Sequence, residues 1–178
     1  MKYLIMTEGT CEQALLNVLI DKAIFKYPVE SLLYEEIIHA RQIKGNGSLL
    51  EKINQLPRDE KISIIRVGDK LSENFSIPKE IKTRVLDNRK ICIKPEFEIL
   101  HLLFLKEDEN YHNKYKSKEK ASEYLQRICS DYRKTYNYNY KFFNNLSANE
   151  LKSLIKVYSI KRHKVHDKDE ETLDCLIK

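Results

Sequence analysis

Glycine and proline are scarce in this chain, four of each in 178 residues, and tryptophan is missing altogether. So few breakers leave little room for flexible linkers and favour helices. The four cysteines, Cys11, Cys92, Cys129 and Cys175, are scattered, and no CxxC pair occurs. A zinc knuckle is thereby disfavoured, and each thiol is expected to sit reduced within a helix or strand. No apolar run approaches the roughly 20 residues that span a bilayer, so no membrane contact is expected. The apolar stretch at residues 1–6 is too short for the core of a signal peptide and lacks a small-residue cleavage site, which makes the cytoplasm the expected location. Gly45-Asn46-Gly47-Ser48 is too short for the GxxxxGK[ST] phosphate loop, which excludes a P-loop nucleotide triphosphatase.

What is present describes a folded, heavily charged protein, 42% hydrophobic and 33% charged. Its length suits one domain with a sizeable core. A net charge of +5 suits an anionic partner without selecting one.

Residues 2–6 are apolar and β-compatible, and Thr7-Glu8-Gly9-Thr10 forms a turn in which Thr10 is placed to cap a helix. Residues 11–25 then carry Ala14, Leu15, Val18, Leu19 and Ile24 at helical spacing. A second strand is expected over 35–43, followed by the Gly-Asn-Gly-Ser turn and a helix from Ser48 to Leu56. Residues 61–67 supply the β-branched bulk of a third strand, which runs into Gly68-Asp69-Lys70. A fourth strand follows at 89–93, and Pro95 precedes an apolar helix ending at Leu105. Beyond it, residues 117–132, 147–163 and 169–177 read as helices, with Ser147 and Glu150 forming a capping box. The expected fold is therefore α/β and Rossmann-like. A mainly parallel four-strand sheet flanked by helices occupies residues 1–105, and a C-terminal helical layer occupies 106–178 of the same single domain.

In open parallel sheets, ligands bind outside the carboxyl ends of the strands. Glu8 and Asp69 each lie just past an expected strand, beside Gly9 and Gly68, and Glu12 follows Glu8 by one helical turn. Clustered carboxylates repel unless a cation joins them, and oxygen donors of this kind suit Mg²⁺ or Mn²⁺. The plainer explanation is that a glutamate at a helix N-terminus favours the dipole, and that Asp-Lys after a strand is an ordinary turn.

Met6-Thr7-Glu8-Gly9-Thr10-Cys11-Glu12 resembles the E-G-x-x-E strand end of Toprim domains, in particular those of the RloB-like and OLD-type nuclease branch. Residues 64–69 fall where that family carries D-x-D, Lys94-Pro95-Glu96-Phe97-Glu98 is similar to its P-x-F-E helix start, and Tyr132-Arg133-Lys134 resembles its Tyr-x-Lys element. Residues 171–177 are similar to its closing helix. The resemblance implies metal ligands at Glu8, Glu12, Asp69 and Glu98. It implies catalytic roles for Glu8, Asp69 and Lys134, the lysine offsetting charge on a phosphate. Gly9, Lys70, Arg133 and Tyr136 are the expected substrate contacts. The implied activity is Mg²⁺- or Mn²⁺-dependent cutting or nicking of DNA or RNA, in anti-phage defence beside a separate ATPase partner. A homo-oligomer is compatible with it. The chain departs from D-x-D, because Val67 and Leu71 stand where a second acid would be, and Glu73 lies beyond that position. A catalytically degenerate module for protein or nucleic-acid binding is the alternative.

Four further features stand outside these motifs. Tyr132 to Phe143 interleaves aromatics with cations, which suits base stacking or an extended segment with one packed face. His163 and His166, near Asp167, offer a metal too few ligands. The Lys161-Arg162-His163-Lys164 cluster favours a helix dipole wherever it lies. Cys11, at a helix N-terminus, has no neighbouring histidine in sequence to activate it as a nucleophile.

Overall fold

A computed structural model of the protein describes residues 1–69, 71, 74–162 and 168–178. In chain order the elements are β1 (Lys2–Thr7), α1 (Thr10–Asp21), β2 (Ile38–His39), α2 (Gly47–Asn54), β3 (Ile62–Gly68), α3 (Lys79–Lys82), β4 (Val85–Cys92) and α4 (Ile99–Phe104). They continue with α5 (Asp108–Asn110), α6 (Ala121–Ile128), α7 (Tyr136–Asn144), α8 (Ala148–Arg162) and β5 (Glu170–Glu171). No helix among the described residues is long and apolar enough to cross a membrane.

The strands form one sheet in the order β2-β1-β3-β4-β5, and every pairing is parallel. The central strand β3 is buried along its whole length, as expected where helices cover both faces. Alternation along the strands divides the core. Leu4, Met6, Ile62 and Ile64 meet Leu49 and Ile53 of α2 and Ile81 of α3 on one face. Ile5, Ile65, Val67 and Ile91 meet α1 and the later helices on the other. Because α1 and α3 leave the neighbouring strands β1 and β3 for opposite faces, a crevice opens between the carboxyl ends of those two strands.

Two parts of the second half depart from the sequence reading. Residues 169–177, expected as a helix, instead give β5 and a 3-10 turn at Leu173–Leu176, making five strands rather than four. The reason is charge. Arg89 on β4 holds Glu171 through two bonds of 2.7 and 2.5 Å, Lys94 holds Glu170 at 2.6 Å, and Lys90 holds Asp169 at 2.5 Å. These contacts fasten the acidic segment alongside the strand and outweigh its modest helical preference.

The second departure is α7, where Tyr136, Tyr138 and Tyr140 alternate. Read as a helix, that alternation becomes two i,i+4 ladders. Tyr136 stacks on Tyr140 with ring centroids 5.9 Å apart, and Tyr138 on Phe142 at 6.5 Å. Thr135 caps the helix, its side-chain oxygen accepting from the Tyr138 N–H at 3.3 Å. The ladders fix α7 against α1, since Tyr136 Oη accepts from Asn17 and Tyr140 Oη donates to Asp21. The capping box at α8 is formed as read, with Glu150 N–H on Ser147 Oγ and Ser147 N–H on the Glu150 carboxylate.

Thr135→Ala removes the cap of α7 and should lower stability by about 1 kcal/mol. Urea unfolding followed by circular dichroism measures it, and an unchanged midpoint would show that the cap contributes nothing.

Candidate functional site

At the end of β1 the chain passes through Glu8 and Gly9 directly into α1 at Thr10. Gly9, rather than Thr10, stands at the cap position, with an extended backbone and no side-chain cap. Its φ of −126° suits any residue, so glycine is needed here for space. A Cβ at Gly9 would collide with the Glu12 carboxylate, and a Cβ at Gly68 would collide with the carboxylate of Glu8. Two glycines at adjacent strand ends therefore make room for two acids.

A cavity of about 370 Å³ lies at this crevice. Glu8, Glu12 and Asp69 line it with Gly9, Thr10 and Cys11, and Arg41 and Lys134 supply positive charge. Glu8 and Glu12 are nearly buried, at 9% and 7% exposure, whereas Asp69 is half-buried. Burial pushes the Glu12 carboxyl up to about 7. The charges of Asp69 and Glu8 push the same way, and its own backbone N–H and Lys134 push against them. Burial likewise pushes the Cys11 thiol up to about 12, aided by Glu12 and Glu98. Cys11 stays protonated near neutrality, which removes the thiolate chemistry that its helix-start position suggests.

Glu98 belongs to a different layer. It is fully buried, is not part of the cavity wall, and accepts at Oε1 from Tyr132 Oη at 2.8 Å and from Lys134 Nζ at 2.9 Å. One turn on, burial holds His101 down at about 4, in a box of Phe97, Tyr132, Phe142 and Phe143 rings. Asn139 of α7 donates to Cys11 Sγ at 3.2 Å, so a buried polar seam runs from the cavity floor toward α4.

The fold thus brings Glu8, Gly9, Glu12, Asp69 and Lys134 around one cavity, and Glu98 joins them only through Lys134. Arg133 is exposed and donates to the carbonyls of Ser130 and Tyr132. Tyr136 is taken up by Asn17 and the ring of Tyr140. Lys70, Glu73 and the His163-Lys164, His166 and Asp167 group lie outside the described residues. Arg41 is a wall residue that the sequence reading did not single out. It follows β2 by two positions in a segment read as strand interior, and no local pattern marks it.

The donor chemistry of this cavity fits a hard cation, because its acids are all carboxylates. The Glu12 carboxylate occupies the space beside Gly9, and the Glu8 carboxylate the space beside Gly68. Among the described residues, no three His, Cys, Asp or Glu side chains stand close enough together to hold a metal ion.

The elevated Glu12 titration has a definite sign. The native state holds this proton more tightly than the unfolded chain, so the contribution is fully present below about pH 4.5 and is lost as pH rises past about 7. Relative to Glu12→Gln, the wild type should lose on the order of 3 kcal/mol between pH 4.5 and 8 without added metal. Urea unfolding of both proteins across that range checks it, and a pH-independent difference would contradict it. Gly68→Ala should cost about 1–3 kcal/mol by overpacking against Glu8. Most of that loss should return in Gly68→Ala/Glu8→Ala, a cycle read by the same unfolding assay.

No family model matches the chain, and no curated protein or solved structure matches it significantly.

Proposed function

We propose that the protein is a divalent-metal-dependent nuclease or nicking subunit that acts on DNA or RNA at the crevice between β1 and β3. The observation that supports this most is the placement of Glu8, Glu12 and Asp69 on one cavity wall, with burial and mutual repulsion raising Glu12. Such a group is stabilised by a cation. Glu8, Glu12 and Asp69 would hold Mg²⁺ or Mn²⁺, which supplies Lewis acidity toward a phosphate and a more acidic water. Arg41 and Lys134 face the same space and suit the negative charge of a phosphodiester. Asp69, the most exposed of the three acids, borders the open side where a nucleic-acid strand would enter. The resemblance to RloB-like proteins adds a separate ATPase partner and a role against foreign nucleic acid.

A second reading is favoured by one observation. Val67 and Leu71, which stand where a second acid would complete D-x-D, are buried at 0% and 1% exposure, and no three-ligand group is assembled among the described residues. On this reading the chain is a degenerate Toprim-like module that binds nucleic acid or protein without cutting.

Incubation with plasmid, single-stranded DNA and tRNA in Mg²⁺ or Mn²⁺ separates the two. The nuclease reading expects cleavage that chelation stops and that falls about a hundredfold or more in Glu8→Gln and Asp69→Asn, both still folded. Cleavage that survives both substitutions overturns it. Metal-independent binding without cleavage, with the ATPase partner present, establishes the second reading.

A further inference from the structure

The buried carboxylate behind the cavity has a role distinct from the acids that line it. Glu98 stands immediately before α4 and is fully buried, so neither of its oxygens reaches the cavity. Burying a carboxylate is costly unless it is paired and hydrogen-bonded. Here Oε1 accepts both the Tyr132 hydroxyl and the Lys134 ammonium, at 2.8 and 2.9 Å. Tyr132 is itself buried at 2% exposure, so this hydroxyl cannot trade Glu98 for bulk water. Lys134 differs, because its side chain is 61% exposed and lines the cavity while its tip is tied to the buried acid. An exposed lysine ordinarily samples many rotamers. This one is anchored at its nitrogen.

Its backbone is anchored as well. Thr135, the next residue, caps α7, and its carbonyl accepts from the Asn139 N–H and from Asn139 Nδ2. Asn139 also reaches Cys11 on the cavity wall. The backbone end of Lys134 is therefore referenced, through Asn139 and Cys11, to the helix that carries Glu12, and its ammonium end to Glu98 at the start of α4.

We infer that Glu98 is a positioning residue rather than a metal ligand, and that with Tyr132 it holds the Lys134 ammonium at the edge of the acidic cavity as a fixed positive charge for an incoming phosphate. The inference rests on the nuclease reading for the identity of the phosphate. The geometry that holds the lysine stands apart from that reading. A fixed charge needs no reorganisation when negative charge develops nearby, which is what makes it useful there. Burial acts to lower the Lys134 titration, and the bond to Glu98 and the charges of Glu98 and Glu12 outweigh it, so the net direction is upward. The ammonium stays charged when the cavity fills.

Four variants test this: Glu98→Gln, which keeps the shape, Tyr132→Phe, Lys134→Met, and Glu98→Gln/Lys134→Met. The first readout needs no activity. Lys134 is labelled by an amine-reactive reagent at pH 8 and quantified by mass spectrometry against exposed Lys141 of the same chain. Its relative rate should rise severalfold in Glu98→Gln, where the ammonium loses its charged acceptor, and should rise less in Tyr132→Phe. An unchanged rate in a folded Glu98→Gln protein overturns the inference. The second readout is Mn²⁺ affinity by electron paramagnetic resonance. It should stay within about twofold in Glu98→Gln, and a loss of tenfold or more, typical when a ligand or its direct support is removed, overturns the positioning role.

Should the wild type take up no Mn²⁺, the metal reading fails and the labelling rate alone decides for or against Glu98. Where the wild type cuts, Glu98→Gln should lower kcat with little effect on KM and should add nothing in the Lys134→Met background. Additive losses would mean that Glu98 acts on something other than Lys134, which also overturns the inference.

Discussion

Like charges crowded at the rim of a sheet set the terms for this molecule. Glu8, Glu12 and Asp69 line one cavity where β1 and β3 end, and two of the three are largely cut off from water. Such an arrangement is unfavourable in itself, because each carboxylate loses hydration and gains a repulsive neighbour. The fold accommodates it by leaving out side chains at Gly9 and Gly68, by letting Glu12 take up a proton, and by bringing cations from distant parts of the chain. Arg41 comes from the loop after β2, and Lys134 from the loop before α7. The topology makes this possible, since the helices that follow the neighbouring strands β1 and β3 lie on opposite faces of the sheet.

The second half of the chain is organised around the same place. α7 packs along α1 through Asn17–Tyr136 and Asp21–Tyr140, and its Asn139 touches Cys11 at the cavity floor. α4 begins at Glu98, whose carboxylate faces Tyr132 and Lys134. The helices after β4 thus form the rear wall of the site as well as covering one face of the sheet. Their apolar residues, among them Tyr124, Phe143, Ile155 and Tyr158, belong to the same core cluster as Ile5, Ile65 and Ile91 of the strands.

Much of this was legible in the amino-acid order. Short apolar runs identify β1 and β3, which are buried on both faces, a period of 3.6 identifies α1, and the Ser147–Glu150 pair marks the start of α8. The acids past β1 and β3 are visible as well, since a glycine beside a carboxylate at a strand end is a local signal. The rest depends on partners far away in sequence. Residues 169–171 carry no strand pattern of their own and become β5 through Arg89, Lys90 and Lys94, roughly eighty positions earlier. The alternating tyrosines of α7 match a strand as well as a helix until Asn17 and Asp21 select one. Glu98 falls beside the site as its motif suggests, yet only its burial and its bond to Lys134 distinguish a support from a cavity wall.

The brevity of the two outermost strands has a consequence for life at high concentration. β2 and β5 each contribute two residues, while the strands they flank run for six and eight. A long bare margin of backbone N–H and C=O groups would recruit strands from other copies and seed aggregates. Here each outermost strand offers only two residues as a template, and the ion pairs of Asp169, Glu170 and Glu171 crowd the β5 side. A parallel sheet, slow to assemble and exposed while it does so, is in this way kept from growing past its own borders.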